Sequence, residues 1–106
     1  GKAQDALGAL ARALELDPRC YKSSYYRGVI HSIRNRYAEA IGDFDRALDV
    51  HPYHFFSLLR RAQAYFHLAD YPRSLADCES ALAVDPDDAH AERLRSLVKA
   101  RLTAHA

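Results

Sequence analysis

The sequence predicts an all-α protein of about six helices, arranged as antiparallel helix pairs in a repeating array. Prolines at positions 18, 52 and 86 recur every 34 residues, and they close the matching segments ALELDP, ALDVHP and ALAVDP. Between the prolines, apolar residues recur at steps of three and four, as they do in amphipathic helices. A fixed period of this length is typical of helical repeats, in which stacked units supply one another's core.

The same 34-residue shift aligns further positions along the chain. The matching pairs are Gly28 with Ala62, Tyr37 with Tyr71, Asp43 with Asp77, and Ala47 with Ala81, and Ala13 precedes the last pair by one period. Several positions that agree at one shift indicate a repeat far more strongly than a single proline spacing.

Taken in order, the elements begin with residues 3–16, which have the pattern of the second helix of a pair. The first helix of that pair is absent, so the chain is expected to begin inside a repeat. Two complete repeats follow at 19–52 and 53–86, with helices at 21–34 and 37–50, then 55–68 and 71–84. Residues 87–106 contain a closing helix, 89–103, and we expect the divisions 1–18, 19–52, 53–86 and 87–106 within one array.

The turns of each repeat also follow from the sequence. Asn35 and the pair 69–70 lie between the two helices of a repeat. Pro18, Pro52 and Pro86 each end a second helix, because proline lacks an amide donor and disfavours helix in the residue before it.

Composition excludes several classes of protein. The 106 residues are 49% hydrophobic and 27% charged with a net charge of +1, which argues against a disordered chain and against a general attraction to nucleic acid or membranes. The two cysteines, Cys20 and Cys78, have no metal or redox spacing, and such sparse thiols fit a reducing compartment. We therefore expect a cytoplasmic protein with no membrane span.

With these residues in view, the sequence resembles the tetratricopeptide repeat (TPR) family over nearly its whole length. Gly28 and Ala62 match the small residue of the family's first helix, and Tyr37 and Tyr71 match its aromatic. The remaining matches are Ala6, Ala40, Leu10, Phe44, Ala13, Ala47 and Ala81, whereas Ser24, His31, Ser74 and Cys78 depart from the pattern. The resemblance implies a right-handed superhelical α-solenoid whose role is protein–protein interaction.

A repeated arginine–aspartate spacing predicts ion pairs within each repeat. Arg27 precedes Asp43 by 16 residues, and Arg61 precedes Asp77 by the same distance. If the two helices of a pair are antiparallel, each arginine reaches the aspartate of the partner helix and fixes the helix register.

The resemblance also predicts where a partner binds, since first helices line the concave groove in this family. The predicted lining is Lys22, Tyr25, Val29 and Ser32, then Phe56, Leu59, Arg60, Gln63 and Phe66, then His90, Arg93 and Leu97. Tyr25, Phe56 and Phe66 would be apolar anchors. Lys22, Arg60 and Arg93 would meet carboxylates of the partner. The alternative for some of these aromatic side chains is that they pack on a neighbouring helix and do not contact a partner.

The chaperone-binding members of the family hold a C-terminal carboxylate with lysine, asparagine and arginine from three first helices. The middle asparagine falls at Tyr26 or Arg60, and the final Lys–Arg pair at Phe56 and Arg60 or at His90 and Leu94. Only Arg60 matches, so an Hsp90 or Hsp70 C-terminal carboxylate is not the expected ligand. We expect a protein or peptide with aromatic or apolar and acidic character.

Two other functions stay open. The first is self-association through the face that the absent first helix would cover. The second is RNA binding, which the arginine excess (12 Arg against 3 Lys) favours and the near-neutral net charge disfavours. No phosphate loop, metal-ligand spacing or catalytic set is present, and the paired His51 and His54 are best explained as turn residues. We expect no enzyme activity, no cofactor and no metal.

Overall fold

The computed structural model describes residues 1–104, which form six α-helices and no strand. These helices are α1 (Lys2–Leu16), α2 (Tyr21–Ile33), α3 (Tyr37–Val50), α4 (Phe55–His67), α5 (Tyr71–Val84) and α6 (Ala89–Ala104). The prediction of an all-α chain of about six helices is confirmed. Eight of the twelve helix ends coincide with the predicted ones, and the other four differ by one residue.

The helices form two compact units. The first, Gly1–Pro52, contains α1, α2 and α3, and the second runs from Tyr53 onward and contains α4, α5 and α6. In the first unit α2 packs on both α1 and α3, and in the second unit α5 packs on both α4 and α6, with α4 also touching α6. The division falls between two of the repeats that the proline spacing predicts.

Each helix pair is an antiparallel hairpin closed by a residue with left-handed backbone. Asn35 and Ala69, one period apart, both have φ of 60°. The amides of the residues that follow them, Arg36 and Asp70, donate hydrogen bonds of 2.8 and 2.9 Å to the carbonyl oxygens of His31 and Tyr65. This bonding satisfies carbonyl groups at the helix end and reverses the chain in few residues.

The core of each hairpin is built where small residues let two helices approach. Phe44 of α3 is fully buried against Gly28 of α2, and a Cβ on residue 28 would lie only 2.6 Å from the Phe44 Cε1 atom. In the second unit, Cys78 and Ala62 occupy the equivalent positions, and both are fully buried. The second helix has the smaller Cys78 in place of Phe44, and the first helix has the larger Ala62 in place of Gly28.

Ser74, one of the departures from the family pattern, is also fully buried in the second hairpin. Its hydroxyl group donates a hydrogen bond of 2.7 Å to the carbonyl oxygen of Ala62. The bond offsets the cost of burying a hydroxyl group and ties α5 to α4.

Candidate functional site

One face of α4, together with the start of α6, forms a concave site in the second unit. Phe56, Leu59, Arg60 and Gln63 follow helical spacing along α4, so their side chains lie on one face. With His90 of α6 they line a cavity of about 310 Å³. We call this cavity the α4 pocket, and all five of its residues are among those predicted to line the groove.

The α4 pocket has an apolar part made by two residues with different exposures. Phe56 is 55% exposed, although its ring has edge contacts with Phe55 and His54 at centroid distances of 5.4 and 6.2 Å. Leu59 is only 7% exposed and therefore contributes the floor of the pocket. The sequence analysis predicts Leu59 as a groove residue, and the structure places it in the pocket lining with most of its side chain buried.

The polar part of the α4 pocket is positively charged. Within residues 1–104, the half-buried Arg60 guanidinium has neither a hydrogen-bond partner nor an ion-pair partner. Helix α4 contains no acidic residue. Glu92, at the start of α6, is paired with Arg95, with 2.6 Å between Glu92 Oε2 and Arg95 Nη2. A carboxylate that entered the pocket would therefore meet an unneutralised arginine, with His90 close by.

Phe66 and Arg93, also predicted to line the groove, are not among the residues of this pocket. The Phe66 ring lies 5.7 Å from the Tyr71 ring, and the Arg101 guanidinium lies 5.4 Å from the Phe66 centroid. Phe66 is thus engaged by α5 and α6 of its own unit, which was the competing prospect for these aromatic residues. Arg93 is exposed on α6.

Of the five remaining predicted residues, Leu97 is exposed on α6, and the other four, including Ser32, belong to α2 of the first unit. Lys22, Tyr25 and Val29 follow helical spacing along α2, with Lys22 exposed and the other two half-buried. The Tyr25 ring lies 6.0 Å from the buried Phe44 ring, so part of this side chain serves the core. That these residues join the α4 pocket in one groove stays a prediction.

The two arginine–aspartate pairs lie within the hairpins. Arg27 Nη2 donates to Asp43 Oδ1 at 2.7 Å, and Arg27 Nε is within 3.0 Å of both carboxylate oxygens. Arg61 Nη2 and Nε each donate to the Asp77 carboxylate at 2.8 Å. Both aspartates are nearly inaccessible, at 3% and 7% side-chain exposure.

Asp43 has two more neighbours that sequence spacing did not reveal. Arg46 Nη1 lies 3.2 Å from Asp43 Oδ1, and His31 Nε2 lies 3.6 Å from Asp43 Oδ2. The Arg46 contact is local, three residues along α3, and a check of short-range charge spacing would have found it.

A second cavity, of about 320 Å³, lies in the first unit and was not predicted. It is lined by Ala11, Leu14, Glu15, Pro18, Arg27 and Arg46. Both of its arginines contact Asp43 and its rim carries Glu15, so it offers less net positive charge than the α4 pocket.

The two thiols have opposite environments. A hydrogen bond from Ser23 lowers the pKa of Cys20, which lies half-buried at the start of α2. Burial raises the pKa of Cys78 to about 11, so this thiol stays protonated at neutral pH. Neither sulfur is in a disulfide.

Two kinds of feature are absent from residues 1–104. No three or more His, Cys, Asp or Glu side chains cluster in a way that would hold a metal ion. None of the helices there has the length and apolar character needed to span a membrane.

The family model for the tetratricopeptide repeat matches residues 1–55, which is more than half of the chain. Together with the helix pairs described above, this match shows that the chain belongs to the tetratricopeptide repeat family. The resemblance inferred from the proline spacing is thereby confirmed.

Solved structures give the same fold at low sequence identity. The first TPR of Spaghetti (RPAP3) bound to the HSP90 peptide SRMEEVD matches with a TM-score of 0.93 and 20% identity, over 97% of this chain and 82% of that one. The second TPR domain of human RPAP3 in complex with the HSP70 peptide SGPTIEEVD has a TM-score of 0.87 and 22% identity, covering 93% and 82%. The Arabidopsis OM64 TPR domain has a TM-score of 0.87 and 20% identity, covering 92% and 80%. At these identities the likeness shows the helical-repeat fold alone.

Proposed function

We propose that this chain is a protein-interaction module that binds a peptide segment of another protein at the α4 pocket. Phe56 and Leu59 take an apolar or aromatic side chain of the peptide, and Arg60 takes a neighbouring carboxylate. The observation that carries this proposal is the half-buried Arg60, which has no ion-pair partner within residues 1–104 and lies beside the exposed Phe56. An aromatic residue beside an arginine is the composition that dominates binding energy at protein interfaces.

Charge supports an acidic ligand over a basic one. The pocket contains Arg60 and His90 and no acidic residue, so a carboxylate gains an opposite charge in a partly desolvated site. The RPAP3 domains bind peptides with the sequences SRMEEVD and SGPTIEEVD, which are acidic at their C-terminal ends. That similarity favours acidic peptides in general as ligands of the present chain.

Residue matching argues against the chaperone mode of binding for this chain. Phe56 stands where that mode needs lysine, and Tyr26 stands where it needs asparagine. We therefore propose that the ligand's carboxylate comes from an acidic side chain within the peptide, and that the terminal carboxylate contributes little.

The experiment is a selection of binders from a displayed peptide library, followed by affinity measurement by fluorescence anisotropy. We expect the selected peptides to contain an acidic residue close to an aromatic or large aliphatic one. Phe56→Ala should weaken binding by about 2 kcal/mol or more, as truncation of a central aromatic anchor does. Arg60→Ala should weaken it by a similar amount and should reduce the salt dependence of the affinity.

Matched controls come from the same unit. Tyr53→Ala removes an aromatic side chain that is 74% exposed, and Lys99→Ala removes a cation from α6, away from the pocket. Both control variants should bind within a few tenths of a kcal/mol of the wild type. If the controls lose as much affinity as Phe56→Ala and Arg60→Ala, the α4 pocket is not the binding site.

The peptides SRMEEVD and SGPTIEEVD test the mode of binding separately. Each is measured with a free C-terminus and with a C-terminal amide. We expect weak binding and at most a twofold difference between the two forms, because the asparagine and lysine positions are lost. A tenfold or larger preference for the free carboxylate would show that this chain uses the chaperone mode after all.

We also propose a cytoplasmic location and no catalytic activity. The two unpaired thiols support a reducing compartment, since secreted domains of this size commonly use disulfides. Imaging of the tagged protein in cells tests the location, and an oxidised Cys20–Cys78 pair in the protein from cells would contradict it.

A further inference from the structure

Arg101 of α6 is an exposed arginine that is held by two uncharged groups. Its Cζ atom lies over the Phe66 ring, 5.4 Å from the centroid, and its Nη1 atom donates a hydrogen bond of 3.4 Å to the Tyr71 hydroxyl oxygen. Within residues 1–104 the guanidinium has no carboxylate partner. Phe66 and Tyr71 therefore restrict this side chain without neutralising its charge.

This placement leaves the edge of the Arg101 guanidinium available to an anion. The attraction to an aromatic ring uses the flat face of the group, whereas its N–H donors point outward in the plane. The Tyr71 hydroxyl accepts from only one of the two Nη atoms. A carboxylate accepts two neighbouring donors of a guanidinium at once, and it binds an arginine that is already held with a smaller loss of side-chain entropy.

The acidic residues around this contact do not supply that carboxylate. Helix α4 has no acidic residue, and the one in α6, Glu92, pairs with Arg95 at 2.6 Å. Asp70, in the turn before α5, pairs with Arg73 at 2.7 Å. The counter-charge of Arg101 is therefore expected from a ligand.

Arg101 lies on the same side of the second unit as the α4 pocket. His90 of the pocket and Arg101 are separated by about three turns of α6, so their side chains share a helix face, with the exposed Leu97 between them. At a rise of about 1.5 Å per residue, the two positions are about 16 Å apart along the helix. On α4, Phe56 lies beside His90 and Phe66 lies beneath Arg101, so one band of the surface extends along both helices.

We propose that Arg101, held on Phe66, is a second carboxylate subsite on this face, and that the ligand is a peptide with two acidic residues. The proposal rests on the proposed function, because the first acidic residue is the one that Arg60 takes. An extended peptide advances about 3.3 Å per residue, so about five residues span the distance from His90 to Arg101. Arg60 lies one turn closer to Arg101 than Phe56 does, which shortens the span to about three residues. The second acidic residue therefore lies about three to five positions from the first.

RNA is the other polyanion that an arginine-rich surface could attract. Asp85, Asp87 and Asp88 directly precede α6, at the end of the helix that carries His90. A phosphate chain that reached from Arg101 to the α4 pocket would bring a charge at every nucleotide toward these carboxylates. A peptide can present two carboxylates with uncharged residues between and beyond them, so the charge pattern favours the peptide.

The test starts from a peptide selected at the α4 pocket, in which every acidic residue except the one that Arg60 binds is changed to glutamine. One glutamate is then restored at each successive position on either side of that residue. Affinities are measured by fluorescence anisotropy at low ionic strength, where exposed charge pairs contribute most. We expect a gain of about threefold to fivefold for a glutamate three to five positions away on one side, and less than about twofold elsewhere. Glutamine at the same position is the reference.

Variants of the protein assign the gain to one side chain. Arg101→Ala should remove the gain and should leave the affinity for the one-acid peptide within about twofold of the wild type. Lys99→Ala is the matched control, because Lys99 is another exposed cation of α6, two positions away on a different face, and the gain should persist there. Arg101→Glu should reverse the preference, so that lysine at the second position of the peptide binds better than glutamate. Thermal unfolding of each variant establishes that it is folded.

The outcomes separate this subsite from the α4 pocket. If Arg60→Ala abolishes binding but no second glutamate has an effect, the Arg101 subsite is wrong and the α4 pocket stands. A gain that persists in Arg101→Ala, or that Lys99→Ala removes equally, also overturns the subsite. Binding that is indifferent to Arg60→Ala overturns the proposed function and the subsite together. Displacement of the two-acid peptide by a single-stranded oligouridylate, in the wild type but not in Arg101→Ala, would show that Arg101 binds RNA phosphates and would overturn the peptide assignment.

Discussion

The Phe44 ring occupies the space that a side chain on residue 28 would need. A Cβ on Gly28 would lie 2.6, 2.9 and 3.0 Å from the Phe44 atoms Cε1, Cδ1 and Cζ, and Phe44 is fully buried. One period later, Ala62 has the place of Gly28 and Cys78 has the place of Phe44. The two hairpins thus fill the same space between their helices with two different pairs of residues, Gly28 with Phe44 and Ala62 with Cys78.

Gly28→Ala should therefore destabilise the protein. Overpacking of a buried aromatic ring costs about 1–3 kcal/mol, and alanine's better helix propensity offsets up to about 1 kcal/mol of it. We expect a net loss of about 1–2 kcal/mol in the free energy of unfolding, measured by urea denaturation. The loss should disappear in the Phe44→Cys background, which reproduces the Ala62–Cys78 pair.

Gly42→Ala is the matched control, because residue 42 is also a helical glycine but has open space around it. Without a clash, alanine should raise the free energy of unfolding by about 0.5–1 kcal/mol. If Gly28→Ala stabilises as much as Gly42→Ala, the close approach of α2 and α3 is wrong.

The left-handed backbone at Ala69 predicts a stabilising substitution. A residue with a Cβ at φ of 60° costs roughly 1–2 kcal/mol relative to glycine, and glycine's greater freedom in the unfolded chain returns part of that. Ala69→Gly should raise the free energy of unfolding by about 0.5–1 kcal/mol in a urea titration. Ala38→Gly, at an exposed site inside α3, should lower it by a similar amount, and the same sign for both variants would contradict the assigned turn.

The Arg27–Asp43 pair should show energetic coupling in a double-mutant cycle. Arg27 and Asp43 are 20% and 3% exposed, so the pair is partly desolvated and has more than one hydrogen bond. We expect a coupling energy of about 1–3 kcal/mol for Arg27→Ala and Asp43→Ala. The exposed Arg95–Glu92 pair should show less than about 0.5 kcal/mol, and a coupling no larger for Arg27–Asp43 would remove its role in fixing the hairpin register.

The two thiols should differ in reactivity and in their effect on stability. At pH 8, a maleimide reagent should modify Cys20 well before Cys78, because the pKa of Cys20 is lowered and that of Cys78 is raised to about 11. Folding favours the protonated Cys78, so its contribution to stability is complete below the ordinary thiol pKa of about 8.5–9. It should be lost as the pH rises from there through about 11.

Cys78→Ala supplies the control for the alkaline part of this prediction. The variant should show a smaller fall in the free energy of unfolding between pH 8.5 and pH 11 than the wild type. Equal labelling rates at Cys20 and Cys78 in the folded protein would contradict the burial of Cys78.

The repeat period is what made the helices and turns predictable from the sequence. The proline at a fixed interval marks where each second helix ends, and the small residues at fixed offsets mark where two helices pack. Asn35 and Ala69 could therefore be placed in the turns between helices. The arginine–aspartate pairs followed from the same period, because residues 16 apart face each other across a hairpin with a short turn.

The exposure of individual side chains was not predictable in the same way. Leu59 and Phe66 have the helical spacing of groove residues, but Leu59 is only 7% exposed and Phe66 contacts Tyr71 and Arg101. The cavity beside Arg27 was also missed, because its lining comes from three helices. Burial and cavities depend on which side chains of different helices contact one another, and the 34-residue period does not determine those contacts.

Binding at the α4 pocket is tested most directly by locating a selected peptide on the protein by NMR. Amide chemical-shift changes are followed while an acidic, aromatic-containing peptide is titrated into the labelled chain. We expect the largest changes to centre on Phe56, Leu59, Arg60, Gln63 and His90, and we expect Arg60→Ala to remove them at the same peptide concentration. Changes centred on α1, or on the cavity lined by Arg27 and Arg46, would contradict the assignment of the α4 pocket as the binding site.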